Sequence, residues 1–332
     1  MPNQGPSTAI ILHNLGGPTC EEEMRPFLQN LFSDPEIFRM PGFLQKPFAR
    51  ILSKRRAPKA WRNYMAMGGG SPVLPWTEAQ GRGILFGLRE YGMEGNCICL
   101  PAMRYARPNI DDALQSARKA GVQQLLSFSL YPQYSVTTTG SSENELSRAL
   151  ARISWDVPVL KISRWADDPG YISCLAWRLK RALRKIPPEL TERSLVLYVA
   201  HGTPMSFVRR GDPYLSEVRA CMGLVEAEAR HGFPHRLAFQ SRVGPVAWTK
   251  PYLDQVLRDL PGEGIHSVVL APLSFVSDHV ETLYELDIQM RALAEQSGIQ
   301  SFIRSESLNA DPDFVATLAR LAANALGAKV ST

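Results

Sequence analysis

The chain has 332 residues, 45% hydrophobic and 21% charged, with 37 Lys and Arg against 32 Asp and Glu for a formal net charge of +5. That size and composition suit two α/β domains with their own cores and exclude a fibrous or disordered chain. No apolar run approaches the ~18 residues of a membrane span, the polar first eight residues do not read as a secretory leader, and so modest a positive balance without a motif argues against nucleic acid as a partner.

In chain order, apolar strand runs fall at 9–15, 97–103, 124–130 and 157–162, then at 194–200, 236–240, 266–271 and 300–304. Between them the apolar period predicts helices over 20–31, 109–120, 142–153, 170–185, 213–231, 251–260, 278–294 and 311–326. Thr19 with Glu22, and Asn109 with Asp112, read as capping boxes at two of the starts. Short strands alternating with helices mean parallel sheets covered on both faces. The expected fold class is α/β, with two similar Rossmann-like doubly wound domains, each on a four-stranded parallel sheet. The first half is assigned to 1–165, the second to 166–310, and 311–332 to a last helix packing back on the first half.

Residues 32–76 break this rhythm, because apolar side chains such as Phe38, Phe43, Phe48 and Ile51 alternate with prolines and basic residues. The segment reads either as a helical hairpin packed on the first domain or as a hydrophobic lip that touches a membrane surface. Lys54, Arg55, Arg56, Lys59 and Arg62 within it suit an anionic ligand. A second basic run, 178–185, reads as a solvated helix face. Five scattered cysteines lack metal-site spacing and read as free thiols of a reducing compartment, so the cytoplasm is expected.

The chemistry gathers at strand ends. The run 194–200 leads into His201-Gly202, and 268–271 leads towards Asp278, His279 and Glu281. Carboxyl ends of parallel strands are where open α/β sheets build their sites. A histidine near its ordinary pKa of ~6.5 beside carboxylates suits proton transfer or a divalent metal. Corresponding polar clusters follow the strands of the first half, and if the carboxyl edges of both sheets line one cleft, a flat, sizeable ligand fits there. Glu281, Glu285 and Gln289 fall four apart, on one helical face. His279, two residues from Glu281, is not expected to share that face.

Nine segments, in order, resemble those of ferrochelatases: Asn14-Leu-Gly-Gly-Pro18, Lys54-Arg-Arg-Ala-Pro58, Gly68-Gly-Gly-Ser-Pro72, Met103-Arg-Tyr105, Tyr131-Pro-Gln-Tyr-Ser135, Thr139-Gly-Ser-Ser142, Ala200-His-Gly202, Gln240-Ser-Arg-Val-Gly-Pro245 with Trp248, and 275–283. The resemblance implies a chelatase-like fold and insertion of ferrous iron into protoporphyrin IX, the terminal step of haem synthesis. It implies catalytic and metal-handling roles for His201 and Glu281, with Glu285 on an outer metal or proton path whose third acid is replaced here by Gln289. The implied substrate contacts are Leu15, Leu31, Phe32, Arg55, Arg56, Tyr64, Ser71, Arg104, Tyr105, Tyr131, Ser135, Trp248, Phe275, Asp278 and His279. Of these, the arginines would meet propionates.

Relatives that take coproporphyrin III have a tyrosine at position 15 and lack the lip, so Leu15 and the lip imply protoporphyrin. Others hold a [2Fe–2S] cluster on C-terminal cysteines, but none follows Cys221 here, so no permanently bound cofactor is expected and Fe2+ is a substrate. The expected partners are protoporphyrin IX and Fe2+. The lip adds a peripheral contact with the inner membrane, and a pathway enzyme that donates porphyrin is a further candidate. The rivals are a coproporphyrin ferrochelatase and a non-catalytic haem carrier, which would need a haem ligand but no proton acceptor.

Overall fold

The computed structural model describes residues 7–38 and 40–327. Residues 1–6, most of the polar stretch that does not read as a leader, and the tail of the last predicted segment, 328–332, lie outside the described residues. The chain divides into two compact units: one runs to Arg164 and resumes at Asn309, and the other spans Trp165–Leu308. No helix among the described residues is long and apolar enough to cross a membrane.

The first unit holds β1 (Thr8–Asn14), β2 (Cys97–Met103), β3 (Gln124–Ser129) and β4 (Val159–Ile162) in the order β2-β1-β3-β4. The second holds β5 (Ser194–His201), β6 (His235–Gln240), β7 (Ser267–Pro272) and β8 (Ser301–Arg304) in the order β6-β5-β7-β8. Every pairing is parallel. The two orders are the same, as the sequence leads one to expect of two similar doubly wound domains. Each has its topological switch beside the central strand, between β1 and β3 and between β5 and β7.

Central strands are buried on both faces, so they read as continuous apolar runs rather than alternating ones. In unit 1, Ala9 and Ile11 pack against Ala113, Leu114 and Ala117 of α4 (Ile110–Lys119) and Leu146 and Ala149 of α5 (Ser141–Arg152). In unit 2, Leu195, Leu197 and Val199 pack against Leu253 and Leu257 of α9 (Leu253–Asp259) and against Leu286 and Ala294. Each such leucine, isoleucine or valine side chain stabilises by about 1.5–3 kcal/mol on burial. On another face of unit 2, α6 (Pro169–Leu183) packs on α8 (Tyr214–Ala229), and a single turn, α7 (Met205–Val208), follows β5.

Several elements differ from the sequence reading. Helix α1 (Glu21–Phe32) starts one residue later than expected, so Cys20 is its N-cap and the Thr19/Glu22 box does not form; the amide and hydroxyl of Thr19 donate to Glu23 instead, both at 2.8 Å. The Asn109/Asp112 box does form, with bonds of 2.9 and 3.0 Å. An unforeseen helix, α3 (Val73–Gly87), contains Gly81 and Gly83, residues that count against a helix by about 1 kcal/mol each. Packing explains them: a Cβ on Gly83 would overlap Val315 of α11 (Pro312–Ala325), and one at the helix end, on Gly87, would stand 2.6 Å from Ala319. The expected helix 278–294 divides into an eleven-residue π-helix, Val280–Met290, and α10 (Arg291–Ser297).

The irregular segment 32–76 is dominated by α2 (Gly42–Ala66), which runs through Pro47 and Pro58 and packs on α1. Its sidedness is inverted. The buried row Gln45, Ala49, Ser53 is polar or small, while Phe43 is 78% exposed and Ile51 62%, among exposed Lys46, Arg50, Lys54, Arg55 and Arg56.

Candidate active site

In unit 2 the switch point carries the ionisable groups. β5 ends in His201, and the loop after the neighbouring β7 leads through Phe275 to His279 and the π-helix. Nδ1 of His201 donates to the Gly202 carbonyl at 2.5 Å, which leaves Nε2 as the ring nitrogen nearest Glu281. That Nε2 lies 3.6 Å from Oε1 of Glu281, and Nε2 of His279 lies 3.7 Å from Oε2, both too long for hydrogen bonds. Oε2 of Glu281 is buried without a hydrogen-bond partner. Burial pushes the Glu281 carboxyl up, but His201 and then His279 outweigh it and hold the group below the usual carboxylate range.

His279 stands closer to Glu281 than helical spacing allows. It is the N-cap, in extended backbone (φ −162°), so its ring does not follow the rotation of the helix that begins at Val280. Its Nδ1 donates to the Ser277 carbonyl at 3.1 Å, and Phe275 packs against its ring at 4.6 Å between centroids. Gly202 must be glycine, since a Cβ would meet the Gln240 carbonyl at 2.9 Å and the Trp248 ring at 3.3 Å. Trp248 donates to the Val243 carbonyl at 3.0 Å.

One π-turn on, Glu285 is held by Ser241, whose amide and hydroxyl donate to its two oxygens at 2.8 and 2.5 Å. Burial and then the Glu281 charge push the Glu285 carboxyl up, against those bonds. The inner acid is thus held ionised and the outer one retains its proton to higher pH. Ser241 adopts a left-handed φ of 65°, a conformation the sequence does not announce. Gln289, in the third position, is exposed. Asp278 is occupied elsewhere, accepting from Ser307 at 2.8 Å and Thr282 at 3.1 Å and pairing with Arg304 at 3.2 Å.

In unit 1 the named residues also sit beyond strand ends. Leu15 follows β1, half-buried, and its carbonyl accepts the Tyr105 amide at 3.2 Å. Arg104 and Tyr105, after β2, converge on the buried Asp34: the guanidinium pairs with it at 2.9 Å and the phenol donates to it at 2.6 Å. Ser141 completes this knot, donating to Asp34 and accepting from Arg104 at 2.7 Å. Asp34 is a residue the sequence reading did not single out. Burial and then the Asp34 charge raise the Tyr105 phenol well above its usual range. Phe32 is buried edge-on to Phe38, Leu31 is half-buried beside it, and Tyr64 is buried and stacked on Trp61.

Ser71 is buried where a Cβ on Gly17 would strike it. Ser135 caps the short π-turn Val136–Gly140 and Tyr131 is half-buried ahead of it. Arg55 and Arg56 lie exposed on α2. A cavity of about 700 Å³ in this unit is lined by Phe27, Asp34, Arg104, Tyr105, Ser142 and Arg148 among others, and not by Leu15, Tyr64 or Ser71. Among the described residues no three His, Cys, Asp or Glu side chains converge as a ready-made metal site.

A ferrochelatase family profile matches residues 7–326. The ferrochelatase of Geobacter metallireducens is 43% identical over 315 residues, covering 95% of this chain and 97% of that protein. That of Cyanothece sp. is 41% identical over 325 residues, covering 96% of this chain and 82% of that protein. Among solved structures, SirB from Bacillus subtilis with Fe3+ shares 14% identity at a TM-score of 0.53, covering 96% of each chain, a likeness of fold. Matched over almost its whole length by profile and relatives alike, the chain belongs to the ferrochelatase family and is a metal chelatase of haem synthesis.

Proposed function

We propose that His201 and Glu281 carry the proton and metal traffic of iron insertion, and that the porphyrin is protoporphyrin IX. The observation that carries the first part is the Glu281 carboxylate, ionised, flanked by two imidazoles and with one buried oxygen left open. Insertion of Fe2+ displaces two pyrrole N–H protons and the water around the ion. With Nδ1 committed to Gly202, Nε2 is the nitrogen through which His201 exchanges a pyrrole proton, and the charge of the protonated ring stands 3.6 Å from the Glu281 carboxylate. The open oxygen of Glu281 accepts an N–H or replaces a water on the ion. Two such donors suit an ion that passes through rather than one that stays. Glu285, with its carboxyl pushed up, is the next station outward, in line with the rule that neighbouring carboxylates with separated pKa values divide their tasks.

Leu15 supports protoporphyrin, since an apolar side chain there suits vinyl-bearing edges better than a hydroxyl does. Leu31 and Phe32 would add apolar contact with the ring. The propionates fall to Arg55 and Arg56, which are exposed, because Arg104 is already engaged by Asp34. The inverted helix α2 supports peripheral binding to an anionic membrane: exposed Phe43, Leu44, Ile51 and Met65 enter the interface while Lys46, Arg50 and Lys54 meet lipid headgroups.

An anaerobic assay that offers protoporphyrin IX and coproporphyrin III separately with Fe2+ tests this, with His201→Ala as control. Turnover of protoporphyrin that the substitution abolishes supports both parts. Preference for coproporphyrin would refute the Leu15 argument and leave the His201 assignment standing. Tight haem binding with no turnover of either porphyrin would refute both.

A further inference from the structure

We propose that Arg304, at the carboxyl end of β8, is a positioning residue that straps the π-helix Val280–Met290 and thereby fixes Glu281 and Glu285. The proposal rests on the reading of Glu281 as a working carboxylate. A π-helix of eleven residues needs explaining, because i→i+5 bonding is usually confined to single-turn bulges. Something outside the helix must set its phase, or it relaxes towards α-helix and rotates the two acids apart from their partners.

The Arg304 guanidinium meets the segment at two points. Nε and Nη2 donate to the two oxygens of Asp287, each at 2.8 Å, the bidentate fork that fixes both distance and orientation. Nη1 stands 3.2 Å from Oδ1 of Asp278, just ahead of the first turn, and also reaches the Ser307 hydroxyl at 3.3 Å. The Arg304 side chain is only 10% exposed, so these bonds are shielded from competing water. From Asp278 the path continues inward: the Thr282 hydroxyl donates to Asp278 at 3.1 Å and accepts the His279 amide at 3.0 Å. One end of the strap therefore fixes the backbone at His279, two residues before Glu281, and the other holds Asp287, two residues after Glu285.

Arginine is required because the fork spans two acids at once. A lysine keeps the charge but offers one point of contact, so it can satisfy Asp278 or Asp287 and not the geometry of both. Arg304 touches neither His201 nor Glu281 directly; its effect is on where the carboxylates stand.

The test compares Arg304→Lys and Asp287→Asn with the parent chain. It uses amide hydrogen exchange over 280–290 and over the two sheets, together with kcat and porphyrin KM for Fe2+ insertion. The expected result is exchange about 10-fold faster in 280–290 with the sheets unchanged, and kcat lower by about 10- to 100-fold with porphyrin KM within about 2-fold. Unchanged exchange over 280–290, or unchanged kcat, in both variants would overturn the proposal. If Arg304→Lys loosens the sheets as well, Asp287→Asn, which leaves the arginine in place, decides by the same two readings. Glu281→Gln, assayed alongside, separates the two levels. Parental turnover in that variant would refute the role of Glu281 and with it the catalytic consequence of the strap. A dead Glu281→Gln beside normal Arg304→Lys and Asp287→Asn would refute the strap alone.

Discussion

Oε1 of Glu281 lies 3.6 Å from Nε2 of His201, although the two belong to segments eighty residues apart in sequence and meet only because β5 and β7 are neighbours in the sheet. At that separation the carboxylate does not take a proton from the ring by a direct bond, yet it is close enough to stabilise a charge that forms there. The same carboxylate is flanked by His279 on its other oxygen, so its ionised state is maintained from two sides. Substituting Glu281 by Gln keeps the shape and removes the charge. We expect kcat for iron insertion to fall by about 100-fold or more with little change in porphyrin KM; a loss below about 3-fold in the steady-state assay would exclude Glu281 from the proton and metal steps.

The hydroxyl of Ser241 is a bond that holds the Glu285 carboxyl down against burial and the Glu281 charge. Removing it in Ser241→Ala lets the carboxyl rise further, so Glu285 holds its proton to higher pH. If Glu285 relays protons, the acid limb of the pH–rate profile shifts upward in this variant. A superimposable profile would remove Glu285 from the path.

His13 is buried in β1 against the Ser127 hydroxyl at 2.9 Å, and burial, with a smaller contribution from Lys161, pushes it down to about 4. The unfolded chain binds the proton at its ordinary value of ~6.5, so the neutral ring contributes stability above that pH and loses it as pH falls towards 4. The shift corresponds to about 3 kcal/mol. Urea unfolding at pH 7.5 and 4.5 should show His13→Gln with a pH dependence shallower than the parent by about 2–3 kcal/mol. Equal slopes would mean that the ring is solvated in the folded state.

Gly83→Ala pits two magnitudes against each other. Alanine favours the helix by about 1 kcal/mol, but its methyl overlaps Val315 across the α3–α11 contact. Overpacking costs about 1–3 kcal/mol, so the variant should melt lower than the parent; a higher Tm would show that α11 yields at little cost.

For α2, replacing Phe43 and Ile51 together by Ser should reduce sedimentation with vesicles of mixed neutral and anionic lipid, while raising salt weakens binding of the parent through its basic residues. Binding to vesicles that survives both treatments would show that α2 is not the docking surface.

The sequence by itself determined the parts governed by local chemistry and periodicity. Short apolar runs rich in β-branched residues, such as 194–200, read as strands buried on both faces, and their alternation with helices points to two parallel sheets. The strand-end position of His201 follows from the same runs, since the polar residue that stops a buried strand stands at its edge. The Asn109 cap could be read as well, though the spacing of three is not sufficient by itself, since Thr19 and Glu22 share it and form no box.

What the tertiary structure decided concerns backbone state and partners distant in sequence. Helix α3 was hidden because Gly81, Gly83 and Gly87 lower helix propensity; only the proximity of Leu12, Val315 and Ala319 explains them. The π-form of 280–290 cannot be seen from periodicity, and without it the fork from Arg304 to Asp287 has no sequence signal. His279 was set apart from Glu281 by helical spacing that does not apply to an extended N-cap. Asp34, which gathers Arg104, Tyr105 and Ser141, looks in sequence like any loop acid, because the groups that neutralise its charge lie as far as 107 residues away.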